Sequence, residues 1–274
     1  IKDEESFYRA HEAAMQPIPR IPGFVLLRPL GGGPMTAVYE ARDLERGVQC
    51  AVKVPRPDWA DQPTAVKLLQ REARAGLAVK HPHLVGFRDA HVTRAPYFLV
   101  MDLLEGESLR RRLRRDYRLD LPTALWIARQ SAEALAALHR AGFVHGDIKP
   151  DNVRLVDDGT AILIDLGFAH RPGENAVILK KGYVLGTVDY LAPELCDTEP
   201  SADQASDLFS FGVMPSRFRS APPNFFWDIG FSFSPPAWCH SRYAWYSSLA
   251  EHSASGARTH RSPRNAAMTS CSAR

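Results

Sequence analysis

The residues best suited to chemistry stand in His145-Gly146-Asp147-Ile148-Lys149-Pro150-Asp151-Asn152, with Asp165-Leu166-Gly167 shortly after. The first run sets a carboxylate and a carboxamide five positions apart, on either side of a lysine and a proline. That set suits phosphoryl transfer, in which a protein must place a hydroxyl, hold magnesium on a polyphosphate and neutralise charge on the moving group. In such chemistry Asp147 orients and deprotonates the attacking hydroxyl, and Lys149 sits against the transferring phosphate. Asn152 and Asp165 would supply hard oxygen ligands to the metal. A surface turn rich in Asp, Asn and Pro is the plainer explanation. It does not account for the apolar segments Gly142-Phe143-Val144 and Ala161-Ile162-Leu163-Ile164, which would bury the anchors of the loop.

The loop needs elements to hold it. Pro122 through Leu138 reads as a helix, with Leu125, Ala128, Ala132, Leu135 and Leu138 recurring at three- and four-residue steps as one buried stripe. Pro122 suits its first turn, where a missing N–H costs nothing. Upstream, Val25-Leu26-Leu27 leads through Leu30-Gly31-Gly32-Gly33 to Val38-Tyr39, two strands joined by a glycine-rich turn whose backbone N–H groups could approach a phosphate. Such a turn is by itself a weak signal. Cys50-Ala51-Val52-Lys53-Val54 reads as a short apolar strand carrying one lysine, and Ala65 to Arg74 as a helix carrying Glu72. Tyr97 to Asp102 reads as a buried strand that ends at a polar step. Arg110, Arg111, Arg112, Arg114 and Arg115 read as a solvated helix face, with a docking patch for acidic partners as the minor alternative.

In this order the motifs from Phe24 to Val213, about seven-tenths of the chain, resemble the serine/threonine protein kinase domain, particularly the bacterial type. The resemblance implies an α+β, two-lobed fold. Residues 21–101 would form a small β-rich lobe with one main helix, 102–107 the hinge, and 108–213 a helical lobe that is incomplete. It implies ATP as donor, magnesium or manganese as the metal, and a protein substrate with a serine or threonine acceptor. Carried onto this chain, Asp147, Lys149 and Lys53 are the catalytic residues, and Asn152 and Asp165 hold the metal. The nucleotide site comprises Leu30, Gly31, Gly33, Val38, Ala51, Lys53 with its partner Glu72, the gatekeeper Met101, and the backbone of Asp102 and Leu104. Thr187 faces the substrate, and with Lys149 it argues against tyrosine as acceptor. Glu194 and Asp207 are structural, Asp207 anchoring the backbone of the catalytic loop.

The chain departs from that pattern at several places. Thr36 stands at the third glycine position, and Pro34 removes an N–H from the turn. Gly146 replaces the arginine that normally pairs with a phosphate on the activation segment, and residues 168–186 hold no serine or threonine, Tyr183 being their one hydroxyl. Activity independent of activation-segment phosphorylation is the expectation. Two rivals remain: a small-molecule kinase of the aminoglycoside or choline type, and a catalytically silent nucleotide-binding or scaffold module. The first lacks counterparts to Lys149-Pro150 and to Thr187…Ala192-Pro193-Glu194.

Composition narrows the rest. A net charge of +3 is too small to argue for nucleic acid. Four cysteines form no CxxC pair, and no run of 18 apolar residues exists, so a reduced cytoplasmic protein without a membrane segment is expected. The chain begins at Ile1, which suggests a fragment, and residues 1–20 read as a linker. From Met214 onward the sequence holds twelve serines, six prolines, seven arginines and no lysine, without helical period. Residues 214–274 are therefore expected to be an irregular or disordered tail, read first as the product of a reading-frame shift and second as a genuine divergent tail, with Pro215 breaking the helix begun at Phe209–Val213. Glu194 would then be left buried without its partner.

Overall fold

Apolar and β-branched residues flanking a glycine turn form β1 (Phe24–Gly32) and β2 (Thr36–Asp43), which pair antiparallel. The computed structural model describes residues 18–175, 186–196 and 202–216. Most of the expected linker, Tyr183 and all but the first residues of the expected tail lie outside the described residues. β3 (Gln49–Pro55), β4 (Phe87–His91) and β5 (Phe98–Met101) complete a five-stranded sheet in the order β1-β2-β3-β5-β4. β3 and β5 lie inside it, so every residue from Cys50 to Pro55 and from Phe98 to Met101 is buried. Across this sheet lies α1 (Pro63–Ala78), which buries Ala65, Leu69, Glu72, Ala73 and Gly76 on one face. A Cβ on Gly76 would meet the Phe87 ring at 2.2 Å, so glycine is what lets the helix sit this close to β4.

The second lobe starts with β6 (Glu107–Ser108), which joins β7 (Val153–Leu155) and β8 (Ala161–Leu163) in a small sheet ordered β6-β7-β8. Among the described residues its α-helices are α2 (Leu109–Asp116), α3 (Leu121–Arg140) and α4 (Gln204–Ser216). The fold is thus α+β with two lobes. One apolar core runs between them, joining Ala51, Leu69, Leu99 and Met101 to Leu135, Leu138, Phe143 and Leu163. Backbone bonds reinforce the junction: the N–H of Val85 donates to Leu163 at 2.9 Å, and the N–H of Leu163 donates to His83 at 2.8 Å. Among the described residues no helix is long and apolar enough to cross a membrane.

Three expectations are corrected. The buried stripe of α3 runs through Ala124, Ile127, Ser131, Ala134, Leu135 and Leu138, while Leu125 is 60% exposed. Spacing alone could not choose between two stripes offset by one residue, since apolar side chains occupy both. The arginines of α2 are not merely solvated: Arg112 and Arg115 pair with Asp116, Arg115 also with Glu107 at 2.7 Å, and Arg110 with Asp151 at 2.6 Å. Finally, α4 continues through Pro215 to Ser216, and Met214 is fully buried in the main core. Proline has a helical φ, so near the end of a helix it removes one bond without ending the coil three residues early.

The stripe carries a direct test. Leu138→Ala should cost about 2–5 kcal/mol by urea unfolding, whereas Leu125→Ala should stay within about 0.5 kcal/mol.

Candidate active site

Lys53 lies in the middle of β3, where alternation turns its side chain off the sheet toward α1 and the cleft. Its Nζ stands 2.7 Å from Glu72 Oε2 on α1 and 2.8 Å from Asp165 Oδ1, just after β8. One ammonium thus serves two carboxylates. Glu72 is almost wholly enclosed, and Asp165 keeps 39% of its side chain open. Burial pushes the Glu72 carboxyl up, the charge of Asp165 adds to this, and Lys53 pulls the other way, leaving it at about 7. Burial also opposes the charge on Asp165, but the adjacent Lys53 outweighs it and holds the carboxyl down at about 2. Burial opposes the charge on Lys53 as well, yet the two carboxylates raise its pKa above the ordinary lysine value. Asp165 has φ +64, a left-handed backbone that non-glycine residues seldom adopt.

The loop between α3 and β7 is held from below. Asp207 on α4, 2% exposed, accepts the N–H of His145 at 2.7 Å and that of Gly146 at 2.9 Å. His139, at the end of α3, contacts the same carboxylate at 2.8 Å. Two backbone bonds between Val144 and His170 tie the loop to the segment after Gly167. Gly146 has φ +78, and a Cβ there would stand 3.0 Å from the Phe168 carbonyl oxygen, so a side chain fits poorly for both conformation and space.

The anchored loop presents a closed polar cluster. Lys149 Nζ lies 2.6 Å from Asp147 Oδ2 and donates to Thr187 Oγ1 at 2.8 Å, and that hydroxyl donates to Asp147 Oδ1 at 2.7 Å. The Asn152 amide donates to the Asp147 carbonyl at 2.8 Å and to its carboxylate at 3.0 Å. With its nitrogen committed, the side-chain oxygen of Asn152 is the group left for a cation. Asp165 uses Oδ1 for Lys53 and Gly167, leaving its second oxygen. Among the described residues there is no cluster of three or more His, Cys, Asp or Glu able to hold a metal. A magnesium ion that arrives on phosphates needs only one or two protein oxygens.

The remaining candidates lie on β1, β2, β3 and β5, in the turn between β1 and β2, and in the segment after β5. Val38 lies opposite both Gly31 and Lys53 in the sheet, and Ala51 lies opposite Met101. Leu30, Val38 and Leu104 are half-buried against the main core. Asp102 is tied down by its own N–H, which donates to Gly86 at 2.8 Å, and by its carboxylate, which takes Arg88 at 2.7 Å. Gly33 has open space around it, but a Cβ on Gly32 would meet the Thr36 carbonyl at 2.4 Å. Gly32 is therefore the glycine this turn demands, and a run of three glycines gave no way to single it out. Glu194 is not left without a partner: it accepts the Ser206 hydroxyl at 3.0 Å. Sequence reasoning also missed that Asp151 is engaged by Arg110, a long-range pair with no local signal.

Comparison with known proteins agrees with this geometry. Residues 24–226 match the family model described as the protein kinase domain. A probable serine/threonine-protein kinase, pknA2, of Bifidobacterium longum is 33% identical over 69% of this chain and 25% of its own length. The serine/threonine-protein kinase pkn2 of Myxococcus xanthus is 38% identical over 72% of this chain and 24% of its own. PknA of Mycobacterium tuberculosis is 34% identical over 69% of this chain and 44% of its own. The chain thus spans from about a quarter to less than half of the length of these relatives.

The raised Glu72 carboxyl has a measurable consequence. Its folded value of about 7 exceeds its ordinary 4.5, so folding favours the protonated form. That contribution is complete below pH of about 4.5 and fades as pH rises through 7. The urea midpoint should therefore fall across this window for the wild type, and Glu72→Gln should flatten the fall.

Proposed function

Since the chain belongs to the protein kinase domain family, we propose that it transfers the γ-phosphoryl group of ATP to serine or threonine hydroxyls of proteins. The observation that carries this reading is the Asp147–Lys149–Thr187 triangle, whose sides measure 2.6, 2.8 and 2.7 Å. Asp147 is 6% exposed and fixed by three neighbours, so its carboxylate can receive a proton from an incoming hydroxyl with little reorganisation. As that O–H bond breaks, the acceptor oxygen bonds to the γ-phosphorus, and the bond to the bridging oxygen of ADP is lost. Lys149 stands beside the carboxylate, where its charge opposes the negative charge on the moving group. Lys53 is held by Glu72 and Asp165 at the nucleotide side of the cleft. Asn152 and Asp165 would hold magnesium, which supplies charge neutralisation on the phosphates. Leu30, Val38, Ala51 and Met101 would enclose the base, and the backbone of Asp102 and Leu104 would bond its edge. The buried Cys50 thiol fits work in the reducing, ATP-rich cytoplasm.

The test is incubation of the chain with magnesium, γ-labelled ATP and a generic basic protein, followed by identification of the labelled residue. Label on serine or threonine is expected, and Asp147→Asn should lower the rate about a hundredfold or more. Nucleotide binding without transfer, or label on tyrosine, would refute the proposal. With Gly146 presenting no side chain to a phosphate, phosphatase treatment should leave the rate unchanged. Loss of activity on that treatment would refute independence from an activating phosphate.

A further inference from the structure

Arg74 and Glu174 have no part in the chemistry described so far. Arg74 stands two residues beyond Glu72 on α1, about 200° further round the helix, so the two side chains leave opposite sides of it. Glu72 is buried against Lys53, whereas Arg74 is exposed and reaches the segment after Gly167. There its guanidinium pairs with Glu174 Oε2 at 2.6 Å. The same oxygen accepts the Arg171 N–H at 3.0 Å, and the Glu174 N–H donates to the Arg171 carbonyl at 3.1 Å, closing a turn over Gly173.

The contact has a shared floor. Phe143, 1% exposed, lies at the root of the loop that carries Asp147. The guanidinium of Arg171 stands 4.9 Å from its ring centroid and that of Arg74 5.9 Å, distances at which a cation is drawn to an aromatic face. The next residue, Val144, exchanges two backbone bonds with His170. Burial works against the charge on Glu174, but Arg74, the Arg171 N–H and more weakly Arg71 hold its carboxyl below the ordinary glutamate value. Three elements thus meet at one place: α1, the loop root and the segment after Gly167. Among the described residues this is the ion pair that joins α1 itself to the lower lobe, since Glu72 pairs with Lys53 of the upper one. Residues 168–186 hold no serine or threonine, so the acid at this contact is a permanent one.

We propose that Arg74 and Glu174 are positioning residues whose ion pair fastens α1 to the segment after Gly167 and so keeps Glu72 on Lys53 for the phosphates of the nucleotide. This assignment rests on the kinase reading, which gives Lys53 those phosphates. Both contacts belong to one rigid helix, so a roll of α1 that parts Arg74 from Glu174 also moves Glu72 away from Lys53. Fixed on two opposite sides, the helix keeps its orientation without a phosphorylated side chain to hold it.

Equilibrium binding of magnesium-ATP tests it in the wild type, Arg74→Gln, Glu174→Gln, the double variant and Arg74→Lys. Each single glutamine variant should raise the dissociation constant about threefold, the scale expected of a half-exposed pair. The double variant should also lose about threefold, because the second substitution finds the pair already broken. Arg74→Lys keeps a cation within reach of Glu174 and should bind ATP as the wild type does. A variant that is partly unfolded shows fewer sites at an unchanged dissociation constant, so a shift in affinity reads positioning and not folding. Unchanged affinity in either single glutamine variant overturns the assignment. A loss of about ninefold in the double variant also overturns it, being the product of two independent effects. A wild type that binds ATP but labels no protein sinks phosphoryl transfer, while the affinities still decide the coupling. A wild type that binds no ATP sinks the kinase reading and this assignment together.

Discussion

A single ammonium between two carboxylates ties three separate parts of this chain to one point. Lys53 comes from the inner strand of the upper sheet, Glu72 from the helix laid across it, and Asp165 from the far end of the small lower sheet. If α1 rotated or the lobes slid apart, Lys53 would lose one partner and leave a buried carboxylate alone. Breaking such a pair typically costs about 3–5 kcal/mol. Because one positive charge cannot fully serve two negative ones, the more enclosed Glu72 holds its proton more strongly and the more open Asp165 stays ionised.

A second buried charge orders the lower lobe. Asp207 gives its oxygens to two consecutive backbone N–H groups of the loop before Asp147, so a helix contributed by residues 204–216 shapes a turn about sixty residues earlier. Those N–H groups have no strand or helix partner, and leaving them buried and unpaired would be costly. The loop is thereby held before any ligand arrives. Around Asp147 the same economy applies: Lys149, Thr187 and Asn152 satisfy its oxygens and one another, while the side-chain oxygen of Asn152 remains uncommitted. Such preorganised polar clusters favour developing charge without waiting for the protein to rearrange.

Charge is paired in both lobes. In the upper lobe Lys53 meets Glu72 and Arg28 meets Glu40. In the lower lobe Arg110 meets Asp151, Arg111 leans toward Glu107, and Arg112 and Arg115 find acids on or beside their own helix.

The amino-acid sequence alone determined the types of residue at the loops and the order of the elements. The spacing of Asp147, Lys149, Asn152 and Asp165, and the apolar segments flanking them, are local properties, legible because a strand or a turn imposes them over a few residues. The two-lobed α+β architecture was expected from the resemblance that the ordered motifs carry to the protein kinase domain. Phase and partnership were decided only by the tertiary structure. Leu125 and Ile127 are equally apolar, and packing against the core chose the second. Gly32 cannot be told from its neighbours until the Thr36 carbonyl closes over it. Arg110 finds Asp151, Ser206 finds Glu194, and Asp207 finds the loop backbone across long stretches of chain. Such pairs leave no periodic trace, because a long-range contact depends on where two elements meet and not on the residues that lie between them.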